Sequence, residues 1–253
     1  NLRSLPYLRE VKIIPEFQEG VVDVIVRVQD TWTLFPFLSY SFGSGANKQA
    51  VGIAETNMLG FGKRAEILVA DDEGRQKIEG VWDDRRLFGT YQQLTLGVFD
   101  RSDGYRTIGY YGRPFRSLVE PYGWAVNTDF SDLVGKLFED GDERFIYRQK
   151  RQAVSGGFTI ARGNPEELVR RYSLGYDYSS DEFKEATDED FDDVDVDPSD
   201  VSRDPALLAS DRRFSGPYVA LQQVEPDFIS LNYLDRFDRV QDYNLGNELL
   251  ART

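Results

Sequence analysis

The sequence predicts an all-β protein built as an antiparallel meander, and three observations lead there. Short runs of alternating apolar and polar residues recur from Trp32 onward, and a period of two is the signature of strands. Turn-forming residues, among them 22 Gly, punctuate these runs, and 14 Tyr with 17 Phe suit a pleated surface. No window approaches ~18 consecutive apolar residues, which removes a membrane-spanning helix. It does not remove a β-barrel, whose outward residues alternate with polar inward ones.

Residues 1–30 stand apart from the rest of the chain. Leu2–Leu8 reads as the end of a helix. Val11–Pro15 and Val21–Val28 read as strands joined around Glu19-Gly20. Val22, Val24, Val26 and Val28 alternate with Val21, Asp23, Ile25 and Arg27, so at least half of the second strand is expected to be buried. A hairpin this short holds no core alone. It is the tail of a small α/β module or the lid of the next one, with the boundary at Gln29-Asp30-Thr31.

The meander begins with Leu34–Phe42, in which Leu34, Pro36, Leu38, Tyr40 and Phe42 share a face, and turns at Gly43-Ser-Gly45. In Val51–Gly62, Val51, Ile53 and Glu55 oppose Gly52, Ala54 and Thr56, and Asn57-Met-Leu-Gly60-Phe-Gly62 reverses the chain. Lys63–Ala70 and Gln76–Trp82 flank the turn Asp71–Gly74. Tyr91–Asp100 and Tyr105–Tyr111 flank Ser102-Asp-Gly104. Trp124–Phe130, Phe145–Gln152, Val154–Ala161, Val169–Tyr178, Tyr218–Val224 and Phe228–Leu234 come next, for about ten or eleven strands. Asp242–Glu248 reads as the start of a further hairpin.

Two features bear on membrane barrel against soluble sandwich. The polar face of many strands is small and uncharged (Gln93, Thr95, Gly97; Ser155, Gly157, Thr159), with charge elsewhere (Arg148, Lys150). Connection lengths are unequal, from two to four residues up to about forty between Tyr178 and Tyr218, which suits short turns on one side of a barrel and long loops on the other. Trp32, Trp82, Trp124, Tyr110 and Tyr111 lie near strand ends, as interfacial girdles or as rims of a soluble core. The pattern alone leaves both architectures open.

Chemistry is sparse. With no Cys and no His, disulfides, thiol catalysis and an ordinary Ser–His triad are excluded, and Ser155-Gly-Gly157 lacks the glycine that precedes a nucleophile elbow. Gly60-Phe-Gly62-Lys63 leads into a strand and is no phosphate loop. No catalytic, cofactor or metal residues are assigned, and an enzyme is not expected. The net charge of −14 argues against nucleic acid as a partner. Asp181–Asp204 alone carries −10, leaving −4 for the rest. Asp193, Asp195 and Asp197 have the first spacings of an EF-hand, but Pro198 and Asp204 replace its Gly and Glu. A disordered or calcium-screened surface loop over 179–217 is the expectation.

Two stretches carry a family resemblance. Val24–Pro36 resembles the end of a POTRA domain passing into the first barrel strand of BamA/TamA-type outer-membrane assembly proteins. Gly52, Asn57, Gly60 and Gly62 are similar to the second strand and turn of those barrels, and Asp103-Gly104 and Gly112-Arg-Pro-Phe115 sit where that superfamily has a turn and a strand end. The resemblance implies a periplasmic POTRA segment at 1–30 and a barrel at 31–253, about two-thirds of an implied sixteen strands. It also implies outer-membrane lipid and lipopolysaccharide around the barrel, unfolded client proteins, and periplasmic or lipoprotein partners. The first strand, Leu34–Phe42, would form a weak lateral seam that templates client strands, without a cofactor. Pro36 fits an edge, since it lacks an N–H for a ladder, or simply marks a strand start. Departures are the missing Val-Arg-Gly-aromatic run, the end at Thr253 without a terminal aromatic strand, and the low strand count. Asn1 is not an initiator Met, so processing or trimming is expected.

Overall fold

The computed structural model describes residues 2, 5, 7–42, 47–72, 75–194, 196–232 and 240–253. The expected helix end at Leu2–Leu8, the Gly43–Gly45 turn, the tip of the Asp71–Gly74 turn and Asp195 lie wholly or partly outside them. β1 (Leu8–Gln18) and β2 (Val21–Asp30) form a hairpin and a sheet of their own, turning at Gly20 with φ +81°. The expected burial of β2 is not found. Val22, Val24, Val26 and Val28 are all exposed, because no other element of the described chain covers the hairpin.

Eleven strands make the main sheet: β3 (Leu34–Phe42), β4 (Asn47–Glu55), β5 (Lys63–Asp72), β6 (Arg75–Asp84), β7 (Gln93–Arg101), β8 (Gly104–Arg113), β9 (Tyr122–Glu139), β10 (Asp142–Asn164), β11 (Leu168–Glu185), β12 (Arg212–Val224) and β15 (Glu248–Arg252). All neighbours are antiparallel and the order follows the sequence, with β3 at one edge and β15 at the other. Phe145–Gln152 and Val154–Ala161 are one strand, β10, whose ladder with β9 and β11 runs unbroken through Ala153. Trp124–Phe130 likewise extends to the whole of β9.

β13 (Phe228–Asn232) and β14 (Val240–Asn244) pair with each other. Their register continues that of β12 and β15: Val224 faces Glu248, and Phe228 faces Asn244. Backbone bonds Glu225–Asn247 and Leu245–Asp227 bridge the gap, where Pro226 brings no N–H. Asp242–Glu248 is therefore the returning limb of the last hairpin and not the start of a new one.

We call the end of the sheet nearest β1–β2 proximal and the other distal. Short and long connections are mixed at both ends, so the expected segregation does not hold. Proximal connections span 56–62, 85–92, 114–121 and 165–167, plus the β13–β14 extension; distal ones include the two-residue turns 102–103 and 140–141 beside the segment 186–211. That segment has 26 residues and not forty, since β11 runs to Glu185 and β12 begins at Arg212.

It also folds, contrary to a disordered loop. α1 (Asp188–Asp193) starts with a capping box in which Thr187 and Asp190 bond each other's backbone N–H. Phe191 and Val194 bury against Val134 of β9 and Ile146 of β10, where these strands extend distally beyond β8. Acidic residues sit on a helix held down by two apolar ones.

Candidate functional site

The two faces of the main sheet differ sharply. On one, Leu38, Val51, Val69 and Ile78 lie side by side across β3–β6, and Leu38 is 82% exposed. Farther along the sheet, Trp124, Phe158, Leu174 and Val219 lie side by side across β9–β12. Most of these residues are exposed. Single exposed apolar residues need no explanation, but a contiguous face does.

This apolar band crosses the strands diagonally. The row that starts at Ile78 continues into Asp100, Tyr105, Asp132, Lys150 and Glu182, so it leaves the band distally. The row through Trp124 enters the band only at β9. The band thus moves proximally by about one residue per strand, as it must when strands tilt against a flat apolar layer. Tyr111 and Trp124 meet edge to face at 5.0 Å, and Phe158 stacks at 6.0 Å with Tyr122, which opens β9 at the proximal margin of the band. Lys63 lies 5.8 Å over Trp82 at the same margin. Trp82, Trp124 and Tyr111 therefore sit on the apolar face, whereas Tyr110 belongs to the other face.

The opposite face is polar and charged. Arg106 grips Asp129 with two bonds of 2.9 Å, Arg151 reaches Asp181 at 3.0 Å, and Gln93 and Thr95 both donate to Asp83 at 2.7 Å. The sequence placed the charge elsewhere. It lies among the small residues because each Arg meets a carboxylate across the ladder. Aromatic rings fold over the glycines of this face, Phe37 over Gly52 and Tyr218 over Gly157 and Gly175. Phe115, from the 114–121 connection, reaches over Gly123 and under the Arg171 guanidinium, 4.2 Å from the ring. Arg116 binds the carbonyls of Arg85 and Tyr91, tying that connection to its neighbour.

Leu34, Pro36, Leu38 and Tyr40 lie on the edge strand β3, on the apolar face; Phe42 closes the strand. Thr56 N–H donates to Thr33 C=O at 2.9 Å, and the β3–β4 register has no bulge. Alternation then gives the odd residues of β3 the bonds to β4 and turns the backbone of Leu34, Pro36, Leu38 and Tyr40 to the free edge. Pro36 contributes only an acceptor there, and the Trp32 indole N–H caps the Leu34 carbonyl. Leu38 turns both its N–H and its C=O to that edge. The edge is blunted proximally, at Leu34 and Pro36, and opens beyond them at Leu38.

The turn residues are placed differently from the edge. Asn57 Oδ1 accepts the Gly62 N–H at 2.7 Å, while Gly60 and Gly62 take φ of +79° and +67°. Gly62 lies against Tyr7, where an added Cβ would meet the hydroxyl at 3.0 Å, so this turn seats the N-terminal hairpin. Gly52 lies in the sheet under Phe37, away from the turn.

A polar cluster that sequence reasoning missed anchors the distal segment. Asp190 accepts from Arg148 at 2.7 Å, and Arg148 also bonds Asp132 at 2.5 Å. Burial alone would raise the Asp190 carboxyl, but bonds from Thr187 and Arg148 outweigh it and hold it below the ordinary value. The Thr187-x-x-Asp190 spacing was a legible cap signal; the partner 42 residues earlier was not. Among the described residues, no three acidic side chains converge as a metal site.

No protein-family model matches the chain, and no curated protein matches it. The chain is similar to the crystal structure of BamA from Haemophilus ducreyi lacking POTRA domains 1–3, at 9% identity and a TM-score of 0.42. The match covers 93% of this chain and 61% of that one, so the chain spans about three-fifths of its length. A likeness at that level decides nothing about function.

Proposed function

We propose that the chain forms part of an outer-membrane β-barrel that helps insert or translocate other outer-membrane proteins, offering the free edge of β3 to client strands. The observation that carries the membrane part is the diagonal apolar band opposite a polar, ion-paired face. A soluble sandwich would bury that band against a second sheet. The edge supports the assembly part, because Leu38 presents its ladder groups on the outer side of β3 beside a proline that prevents full sealing. In this reading the β1–β2 hairpin ends a periplasmic POTRA segment, and lipid and lipopolysaccharide meet the band. Clients meet β3, and periplasmic partners or lipoproteins meet the proximal end.

A passive pore or structural barrel is the second reading, favoured by the wet, charge-paired inner face. Cysteine crosslinking separates the two. Leu38→Cys should form adducts with a nascent barrel substrate carrying cysteines in its last strand, and Ser155→Cys on the inner face should not. A pore gives adducts at neither position. A chain that stays monodisperse without detergent removes both readings.

A further inference from the structure

The proximal turns carry a feature that neither the sheet nor the edge explains. Asn57–Gly60 and Arg86–Gly89 adopt the same conformation: a first residue near φ −140°, then one 3-10 turn that ends in a glycine at positive φ. The residue before each glycine, Leu59 or Phe88, takes φ of +52° or +53°. Bulky side chains disfavour that region, which asparagine and glycine enter readily. Both turns nevertheless place a large apolar side chain there, and these are the tips, 85% and 90% exposed. Phe61, beside the first tip, is also exposed.

Their position relative to the apolar band identifies what covers them. Leu59 lies proximal to Ile53 and Ile67, past Glu55 and Ala65, and Phe88 lies proximal to Trp82, past Asp84, so each tip stands beyond the proximal margin of the band. Lys63 over Trp82 and the exposed Arg86 stand between band and tip, where phospholipid headgroups would lie if the band faces lipid. We propose that Leu59 and Phe88 insert into the headgroup–acyl boundary of the proximal leaflet and fix how deep this side of the sheet sits. The occupant is lipid, and the proposal rests on the membrane reading of the apolar face. It adds a depth-setting contact beside the edge strand β3, where the position of the strand in the bilayer governs what it can reach.

The chain has no cysteine, so single-cysteine variants take one label each. Bimane on L59C, F88C, V98C (within the band) and S155C (inner face) is read in the intact chain reconstituted into phosphatidylcholine–phosphatidylglycerol vesicles with brominated acyl chains. Expected are strong quenching of V98C by deep bromines and none of S155C. L59C and F88C should be quenched by shallow bromines to at least about half the V98C extent, as for groups seated ~5–10 Å into the boundary. Quenched V98C with unquenched tips overturns the proposal, leaves the tips to a protein partner and spares the membrane reading. An unquenched V98C overturns both. The double variant L59N/F88N adds a readout that strain alone would not move. Asparagine relieves the positive φ, so stability in micelles should hold or rise, whereas the folded fraction in vesicles should fall by about tenfold relative to micelles. Equal gains in both media count against lipid insertion.

Discussion

Phe158→Arg tests the membrane reading most directly. Phe158 is half exposed within the band, between Trp124 and Leu174. Gln152 lies on the same face of the same strand, six residues distally. Six residues span about 20 Å, or about 15 Å of depth at a tilt near 40°, more than half of an apolar band ~25 Å tall. An arginine at mid-depth costs about 2–4 kcal/mol and near the interface about 0–1. Phe158→Arg also loses the Tyr122 stack, about 0.5–1.5 kcal/mol more. The expected gap between Phe158→Arg and Gln152→Arg is thus at least about 1.5 kcal/mol, roughly tenfold in the folding equilibrium. Denaturant titration in vesicles, read by tryptophan emission and by heat-modifiable gel mobility, measures it, with Phe158→Leu controlling for the lost ring. A surface substitution on a soluble domain would stay within about 0.5 kcal/mol. Equal, small effects at both positions would refute the argument that this face meets lipid.

Three further outcomes are expected. Gly52→Ala should destabilise by about 1–3 kcal/mol, since its Cβ would lie 2.3 Å from the Phe37 ring and 2.8 Å from the Ile67 carbonyl oxygen. Gly80→Ala, with open space around it, should be tolerated in the same titration. Pro36→Ala restores a donor on the free edge, so crosslinking of Leu38→Cys to a strand peptide should rise by about two- to twelvefold, one hydrogen bond's worth. The Asp190 carboxyl is lowered in the folded chain, so its contribution is complete above the ordinary value of 3.8 and is lost as pH falls through the lower folded value. Pepsin cleavage beside Phe191 should therefore stay slow near the ordinary value of 3.8, accelerate only as the pH falls further, and be fast throughout in Asp190→Ala.

Local signals were legible and long-range ones were not. Leu34–Phe42 was bounded to the residue because its alternation is clean and Thr33 and Gly43 flank it. β10 reads in sequence as two strands because 23 residues far exceed the usual strand length. Its charges at Arg148–Arg151 belong to a strand that leaves the apolar band and meets α1. The burial expected of β2 failed because valine alternation reports a surface to be covered, and no other described element covers it. The two faces were legible as faces, but the diagonal drift on which the membrane proposal stands is a property of eleven registers taken together. Alternation in the sequence already gives Leu34, Pro36, Leu38, Tyr40 and Phe42 a shared side-chain face. That their backbones also point to the free edge came only from the hydrogen-bond phase with β4.

The last hairpin keeps one register on both sides of 225–227, so its two limbs are keyed like the teeth of a zip. Losing one residue from a single limb would swap the up and down positions of everything beyond it, turning Phe228 to the opposite side. Length can change there without scrambling only when both limbs gain or lose together, so natural variants of this arm should differ by matched pairs.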